Sequence, residues 1–358
     1  MAKSKLTLIV DGNWLLMSRL AVLNNKFEDT DTLIKNVKKM LIRSMKVVLS
    51  TFEDIDNIVF VADGGSWRNN VPIPNSLIKK SKNGEIVSEE YKGTREKSKD
   101  IDWDAIFKGY EEFIDKLSET GITTCREKNI EGDDWVYFWS NYFNSIGTNV
   151  IIWSADKDLT QLVKTDKHYC FTIWYNGKNE ITEEEVEQDD MDFFFNTQYY
   201  RNEAILINIS DAVKYKNYIN PKHVVIDKIL KGDSSDNIQP IMIRKSKTGK
   251  SSKKFKISTN DIYYDLNYNN DVEVLNYLSK IYNSKSYIDR VEDSIDDVFE
   301  HYKYNRKLVE LSNTEIPDEV INKMKEYINR LTYSCDLSKA ESHILAESND
   351  ISAIAELI

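Results

Sequence analysis

Ile130-Glu131-Gly132-Asp133-Asp134-Trp135 opens an apolar helical run that leads into Val150-Ile151-Ile152-Trp153-Ser154-Ala155-Asp156-Lys157-Asp158. Five carboxylates fall there in two tight groups, one on each side of an apolar helix and strand. Desolvated carboxylates repel one another and raise each other's pKa unless cations hold them. Ligand sets made only of oxygen select hard cations, Mg²⁺ or Mn²⁺, over zinc. The stretch therefore predicts a divalent-metal cluster, with the rest of the chain as scaffold and substrate grip.

Outward from it, short apolar runs alternate with helical periodicity. Leu6 to Val10 reads as a buried strand stopped by Asp11, and Leu15, Leu16, Leu20 and Leu23 mark a helix after it. A second helix spans 31–51, with Leu33, Val37, Met40, Leu41 and Met45 on one face. Asn57 to Ala62 is a strand with Asp63 at its end. An amphipathic helix follows at 101–117, a short strand at 121–125, a helix at 131–142, a strand at 149–153 and a short helix at 158–163. A further strand at 168–174 is expected at a sheet edge. This alternation predicts a mostly parallel α/β sheet covered by helices on both faces. Asp11, Asp63 and Asp156 each lie just past the C-terminal end of a strand, the edge where such sheets place ligands. Three acids from three strands then converge.

After about residue 180 the strands are expected to stop, with helices at 182–215, 221–231 and through 261–358. The expected organisation is an α/β core at 1–180, with a mobile basic arch at about 66–100. A helical region at 181–358 follows, with a duplex-binding hairpin at about 231–258.

A chain of 358 residues with 41% apolar and 11% aromatic residues can bury a core, which excludes wholesale disorder. Its net charge of −11 argues, by itself, against a nucleic-acid partner. Distribution matters more when acids concentrate in one site and bases in another. Cys125, Cys170 and Cys335 are scattered and show no metal spacing, which fits a reducing cytoplasm. The apolar run after the N-terminal lysines is too short for a signal core, and none is long enough to span a membrane.

Nine acids are candidates: Asp11, Asp63, Glu131, Asp133, Asp134, Asp156, Asp158, Asp233 and Asp236. Asp156 and Asp158 are two apart in a tight turn, and Asp233 and Asp236 share one face of a helical turn. Such a set suits two metal positions, roughly 3.5–4 Å apart, on a phosphodiester. Any one of these Asp residues is, taken singly, an ordinary helix N-cap. Three basic signals accompany the acids. Lys92 and Arg95 share a face if that segment is helical, and either neutralise a phosphate or form a solvated face. Trp67 and Arg68 offer an aromatic-plus-base contact to nucleic acid or anchor a loop. Residues 243–256 hold seven bases and no acid, including Arg244, Lys245, Lys247, Lys250, Lys253 and Lys254. They read as a helix–turn–helix grip on a duplex backbone or as a basic loop. A non-catalytic binder of branched nucleic acid, or a metal-dependent phosphatase or phosphotransferase, are the competing classes.

Asp11-Gly12-Asn13, Val61-Ala62-Asp63, Tyr91-Lys92-Gly93-Thr94-Arg95, Glu131-Gly132-Asp133-Asp134, Ser154-Ala155-Asp156-Lys157-Asp158 and Gly232-Asp233-Ser234-Ser235-Asp236-Asn237-Ile238 resemble, in order, the 5′-nuclease superfamily of flap endonucleases and 5′–3′ exonucleases. They are most similar to its bacteriophage ribonuclease H branch. The resemblance covers about residues 6–256 and implies a PIN-like core with a helix–three-turn–helix element for duplex binding. It implies a Mg²⁺-dependent phosphodiesterase, with Mn²⁺ as substitute, that removes RNA primers and 5′ flaps in phage replication. One ion would be held by Asp11, Asp63, Glu131, Asp133 and Asp156, and a second near Asp158, Asp233 and Asp236 with help from Asp134. Lys92 and Arg95 would act from a helical arch, beside Tyr91. The family's Gly-x-Gly hairpin is missing after Ile238, where Gln239-Pro240-Ile241-Met242 stands. The expected partners are DNA and RNA–DNA duplexes with 5′ ends, flaps or nicks, met by a monomer in the host cytoplasm. Gln188, Met191, Phe194 and Phe195 also fit a sliding-clamp-binding pattern, although a core helix face is the simpler reading. A single-stranded DNA-binding protein is the other candidate partner.

Overall fold

The computed structural model describes residues 6–23, 29–51, 55–80, 86–87, 91–93, 101–163, 172–175, 204–205, 221–245, 252–254, 270–284 and 294–332. They fall in two compact units: Met1–Ser66 with Ser98–Tyr218 and Pro317–Ile358, and Trp67–Lys97 with Ile219–Ile316. The segment after Ser66 thus groups with the later helices, and the last helix groups with the sheet.

The first unit is built on a six-stranded sheet. Its strands are β1 (Leu6–Asp11), β2 (Ile55–Val61), β5 (Thr123–Cys125), β6 (Asn149–Trp153), β7 (Thr172–Tyr175) and β8 (Ala204–Ile205), ordered β5-β2-β1-β6-β7-β8. The first five in that order run parallel, and β8 pairs antiparallel with β7. β1 is central and buried along its whole length. The expectation of an edge strand near 168–174 is corrected. β7 has neighbours on both sides, and the edge is β8, a two-residue strand inside the stretch expected to be helical. Two residues are too few to show any period in a sequence.

Helices cover both faces. α1 (Gly12–Leu23), α2 (Thr30–Thr51) and α3 (Trp103–Glu119) pack against Leu6, Leu8, Val10, Ile58 and Phe60. The alternate strand residues Ile9, Val59 and Ile152 are also fully buried, and α4 (Gly132–Ser145) lies against β1, β2 and β6. α3 starts where the Asp102 side chain accepts the Ala105 N–H at 3.1 Å, and it buries Ile106, Tyr110, Phe113, Ile114 and Leu117. α4 buries Trp135, Trp139 and Phe143, and the Trp139 indole N–H points at the Cys125 sulfur at 3.1 Å. Burial pushes the Cys125 thiol up to about 12.

The second unit holds a small antiparallel pair, β3 (Lys79–Lys80) with β4 (Ile86–Val87), and the helices α5 (Pro221–Lys231), α6 (Asp271–Tyr282) and α7 (Ile295–Val309). Its core joins Val225, Ile229, Ile241, Met242, Leu278, Val298 and Tyr302. The expected basic helix–turn–helix at 245–256 is corrected for its described residues, which are strand and not helix. β9 (Ile243–Lys245) and β10 (Ser252–Lys254) pair as an antiparallel ribbon. Strands of three residues are too short to show a period in a run of charges. In the first unit, α8 (Asp318–Glu326) leads to Tyr327, whose ring meets Trp135 edge-on at 4.7 Å. Among the described residues no helix is long and apolar enough to cross a membrane.

One close approach fixes the loop that carries Asp63. Gly64 donates its N–H to the Ile130 carbonyl at 2.8 Å and accepts the Asn129 N–H at 2.9 Å. A Cβ on Gly64 would overlap the Glu127 backbone carbonyl. Gly64→Ala is therefore expected to destabilise the protein by about 3 kcal/mol or more, measured by urea denaturation. A loss well under about 1 kcal/mol would show that the two loops separate freely.

Candidate metal centre

The acids of the first unit gather because the parallel register levels three strand ends. Asp11 is the register partner of Val61, and Val10 that of Trp153. Asp11 ends β1, Asp63 follows β2, and Asp156 follows β6.

Asp11 is the buried member, 6% exposed. Its Oδ1 accepts the Trp14 N–H at 3.0 Å, and its Oδ2 accepts the Ser154 hydroxyl at 2.7 Å. Burial nevertheless pushes its pKa up to about 7, and the charges of Asp63 and Asp156 push the same way. Ser154 is fully buried and links two of the acids, donating to Asp11 and accepting the Asp156 N–H at 2.9 Å. Asp156 is exposed, and its Oδ1 takes the Asp158 N–H at 2.9 Å, capping the 3₁₀ turn Lys157–Leu162. Asp158 is half-buried in that turn.

Asp63 is held from several sides. Asn13 Nδ2 donates to its Oδ2 at 2.6 Å, and Gly132 N–H, at the start of α4, donates to its Oδ1 at 2.5 Å. Asn13 Oδ1 accepts the Asp63 N–H at 3.1 Å and the Tyr110 hydroxyl at 3.4 Å. Burial, with Asp11 and Asp63 nearby, raises the Tyr110 pKa well above the ordinary phenol value. Arg126 Nε donates to the Asp63 carbonyl at 3.1 Å while the same guanidinium pairs with Glu111 at 2.6 Å.

Glu131 is buried at the N-cap of α4, and Asp133 is half-buried in its first turn. Asp134 is fully buried, and its Oδ2 accepts the Glu131 N–H at 3.2 Å as half of a capping box. The capping role is therefore real for Asp11, Asp134 and Asp156. It does not exhaust Asp11, since a carboxylate oxygen has a second lone pair.

Asp233 and Asp236 belong to the second unit. Asp233 pairs with Lys228, and its Oδ1 accepts the Ser235 N–H at 2.8 Å and hydroxyl at 2.6 Å. Burial pushes its pKa up, but Lys228 and Ser235 outweigh that and hold it at about 2. Asp236 is buried, and its backbone carbonyl accepts the Lys92 N–H at 2.9 Å.

Several base assignments change. Lys92 sits in the turn Tyr91–Gly93 with φ 57°, so it does not lie on a helix. The Asp236 carbonyl takes its N–H, and the left-handed backbone ends any helical run there. Tyr91 is buried in the core of the second unit, with Lys92 Nζ 4.9 Å from its ring centre. Trp67 and Arg68 are buried too. The Arg68 guanidinium stacks 4.5 Å from the Trp67 ring, and its Nε donates to the Leu308 carbonyl at 3.1 Å. Buried groups of this kind anchor a loop, so Tyr91, Trp67 and Arg68 are not surface contacts for nucleic acid. Arg244, Lys245, Lys253 and Lys254 lie on the ribbon strands, where Arg244 is the register partner of Lys253. Arg95, Lys247, Lys250 and the Gln188 to Phe195 pattern fall outside the described residues. Asn13, Tyr110 and Ser154 carry no mark of a site residue in the sequence. Asn13 and Ser154 stand inside the motifs, but uncharged side chains give no signal of their own.

The family model for the 5′-3′ exonuclease, N-terminal resolvase-like domain, matches residues 6–190, and the chain belongs to that family. Among solved structures it is similar to the phage T5 D15 protein co-crystallised with metal ions, at 15% identity and TM-score 0.55. It is also similar to T5 5′-exonuclease with divalent zinc ions bound, at 16% identity and TM-score 0.54. A third similar structure is a bacteriophage T5 D15 flap endonuclease variant in a pseudo-enzyme–product complex with DNA and metal ions, at 15% identity and TM-score 0.53. Each alignment covers 91% of this chain and 99% of the other. These likenesses establish the shared fold. No curated protein matches the chain.

Because the folded pKa of Asp11 lies above the ordinary 3.8, ionising it without a cation is unfavourable. Stability of the metal-free protein then falls as pH rises from about 4 toward about 7. Asp11→Asn removes that charge. In EDTA the variant is expected to melt higher than the wild type at pH 8 and close to it at pH 4. Added Mg²⁺ or Mn²⁺ should raise the wild type more than the variant. A variant that melts lower at pH 8 would refute an uncompensated buried charge.

Proposed function

We propose that this chain is a structure-specific 5′ nuclease, a 5′–3′ exonuclease and flap endonuclease with ribonuclease H-type primer removal in phage DNA replication. The observation that carries this reading is the linked set of strand-end carboxylates, Asp11, Asp63 and Asp156, tied through Ser154 and Asn13, in a chain of this family. The donors are all oxygen, which fits Mg²⁺, with Mn²⁺ as substitute. A cation would also offset the charge that burial makes unfavourable on Asp11. We assign Asp11, Asp63, Glu131, Asp133 and Asp156 to one ion, and Asp158, Asp233 and Asp236 to a second. The order of motifs supports that second assignment. Asp134 acts through the Glu131 backbone, by fixing the start of α4.

When bound, such ions supply an activated water and neutralise charge on a phosphodiester. The chain's own residues do the rest. Ser154 and Asn13 orient Asp11 and Asp63. Lys92 offers a cation to the scissile phosphate. The β9–β10 ribbon grips a duplex backbone. Its register pairs Arg244 with Lys253, and a run of bases is the electrostatic footprint of phosphate binding. That the T5 flap endonuclease crystallises with DNA and metal ions supports DNA with 5′ ends, flaps or nicks as substrate.

Asp156→Asn is expected to abolish Mg²⁺-dependent cleavage of a 5′-labelled flap duplex while leaving duplex binding within a few-fold of the wild type. Cleavage at the wild-type rate would overturn the metal assignment. Lys92→Ala should slow single-turnover cleavage by about a hundredfold or more and weaken binding far less. Equal losses in rate and binding would make Lys92 a phosphate clamp instead.

A further inference from the structure

The loop that carries Asp233 and Asp236 is tied at its base by one side chain from far along the chain. α5 ends at Lys231, and Gly232 turns the chain with φ 71°. Asp233 and Ile238 then pair through two backbone hydrogen bonds, 2.9 and 2.7 Å long, and Ile241 N–H returns to the Leu230 carbonyl at 3.2 Å. The loop therefore has two legs, one ending α5 and one leading to Ile241. Asn305 on α7 is fully buried. Its Nδ2 donates to the Ile229 carbonyl at 2.9 Å and to the Gln239 carbonyl at 2.7 Å, one on each leg.

Both partners are acceptors only, so the amide nitrogen has to face them. The two N–H groups of one amide nitrogen bridge the two carbonyls and so set the separation of the legs. Asn305 Oδ1 finds no hydrogen-bond partner among the described residues. That burial is unfavourable, and an apolar residue of similar size would avoid it. Packing alone therefore does not account for an asparagine here. α7 is a firm base, because Arg306 pairs with Glu310 at 2.6 Å and Glu315 at 3.2 Å within the second unit.

Resting on the nuclease reading above, we propose that Asn305 is a positioning residue for metal binding: by spacing the Ile229 and Gln239 carbonyls it fixes the loop from which Asp233 and Asp236 hold a divalent cation. It touches neither cation nor substrate and acts through the backbone of that loop.

The test is a Mn²⁺ binding isotherm, read by electron paramagnetic resonance on the full-length protein without nucleic acid. Asp233→Asn and Asp11→Asn serve as references for the two ions. Asn305→Asp sets acceptors against both carbonyls, whereas Asn305→Ser keeps a single O–H donor. Asn305→Asp is expected to weaken the ion lost in Asp233→Asn by about ten- to a hundredfold, to leave the ion lost in Asp11→Asn unchanged, and Asn305→Ser to fall between. Isotherms that superpose on the wild type overturn the proposal, even where the melting temperature drops. If Asn305→Asp does not fold, the Asn305→Ser isotherm decides on the same terms. The parent reading is tested separately: wild-type protein that shows no Mg²⁺-dependent cleavage of a 5′-flap duplex overturns the nuclease assignment, while the isotherm still judges Asn305.

Discussion

A carboxylate whose ionisation burial opposes closes the central strand, and the first unit is arranged around holding it. Asp11 ends a six-residue strand that is buried throughout, so its side chain has little access to bulk water for solvation. The fold answers with Trp14 N–H and the Ser154 hydroxyl, and these two donors still leave its pKa near 7. The same hydroxyl takes the Asp156 N–H, so the positions of two strand ends follow from one oxygen. Asn13 does the equivalent for Asp63. The charged groups are thus set by uncharged ones, which pre-organise the site before any cation arrives.

The second unit solves a different problem, that of holding an irregular acid-bearing loop. Lys228 and Ser235 keep Asp233 ionised, the Asp233–Ile238 backbone pair closes the loop, and Lys92 N–H is spent on the Asp236 carbonyl. A basic residue expected to work from a free arch is therefore bound through its backbone to the loop it was to serve. Its left-handed φ and its backbone hydrogen bond restrict the positions its ammonium group can reach.

Much of the sheet was readable from sequence because each inner strand is an apolar run stopped by a charge or a polar turn, as at Leu6–Asp11, Ile55–Val61 and Asn149–Trp153. The acids at their ends were readable for the same reason. What escaped depended on distant partners. Trp67 and Arg68 look like a surface pair until the Leu308 carbonyl, 240 residues away, takes the guanidinium. Asp134 looks like its neighbour Asp133, and only the turn of α4 sends one inward to cap the helix. The basic ribbon was misread as helical because a charge run hides the weak signal of three-residue strands. Ser154 and Asn13 were inside recognised motifs and unremarked, since a sequence shows which groups carry charge and not which groups orient it.

The order of the strands has a consequence for the protein's behaviour at high concentration. Val150-Ile151-Ile152-Trp153 and Ile58-Val59-Phe60-Val61 are apolar, β-branched or aromatic segments of the kind that drive cross-strand aggregation when exposed. Both are interior, in β6 and β2, while among the described residues the sheet ends on a three-residue strand at one side and a reversed two-residue strand at the other. Beside the first, Thr332 donates its N–H to the Thr123 hydroxyl at 3.3 Å and its own hydroxyl to the Gly121 carbonyl. Edges so short offer little template for strand addition by another molecule. The sequences most prone to form fibrils are thereby kept away from the positions where a fibril would start.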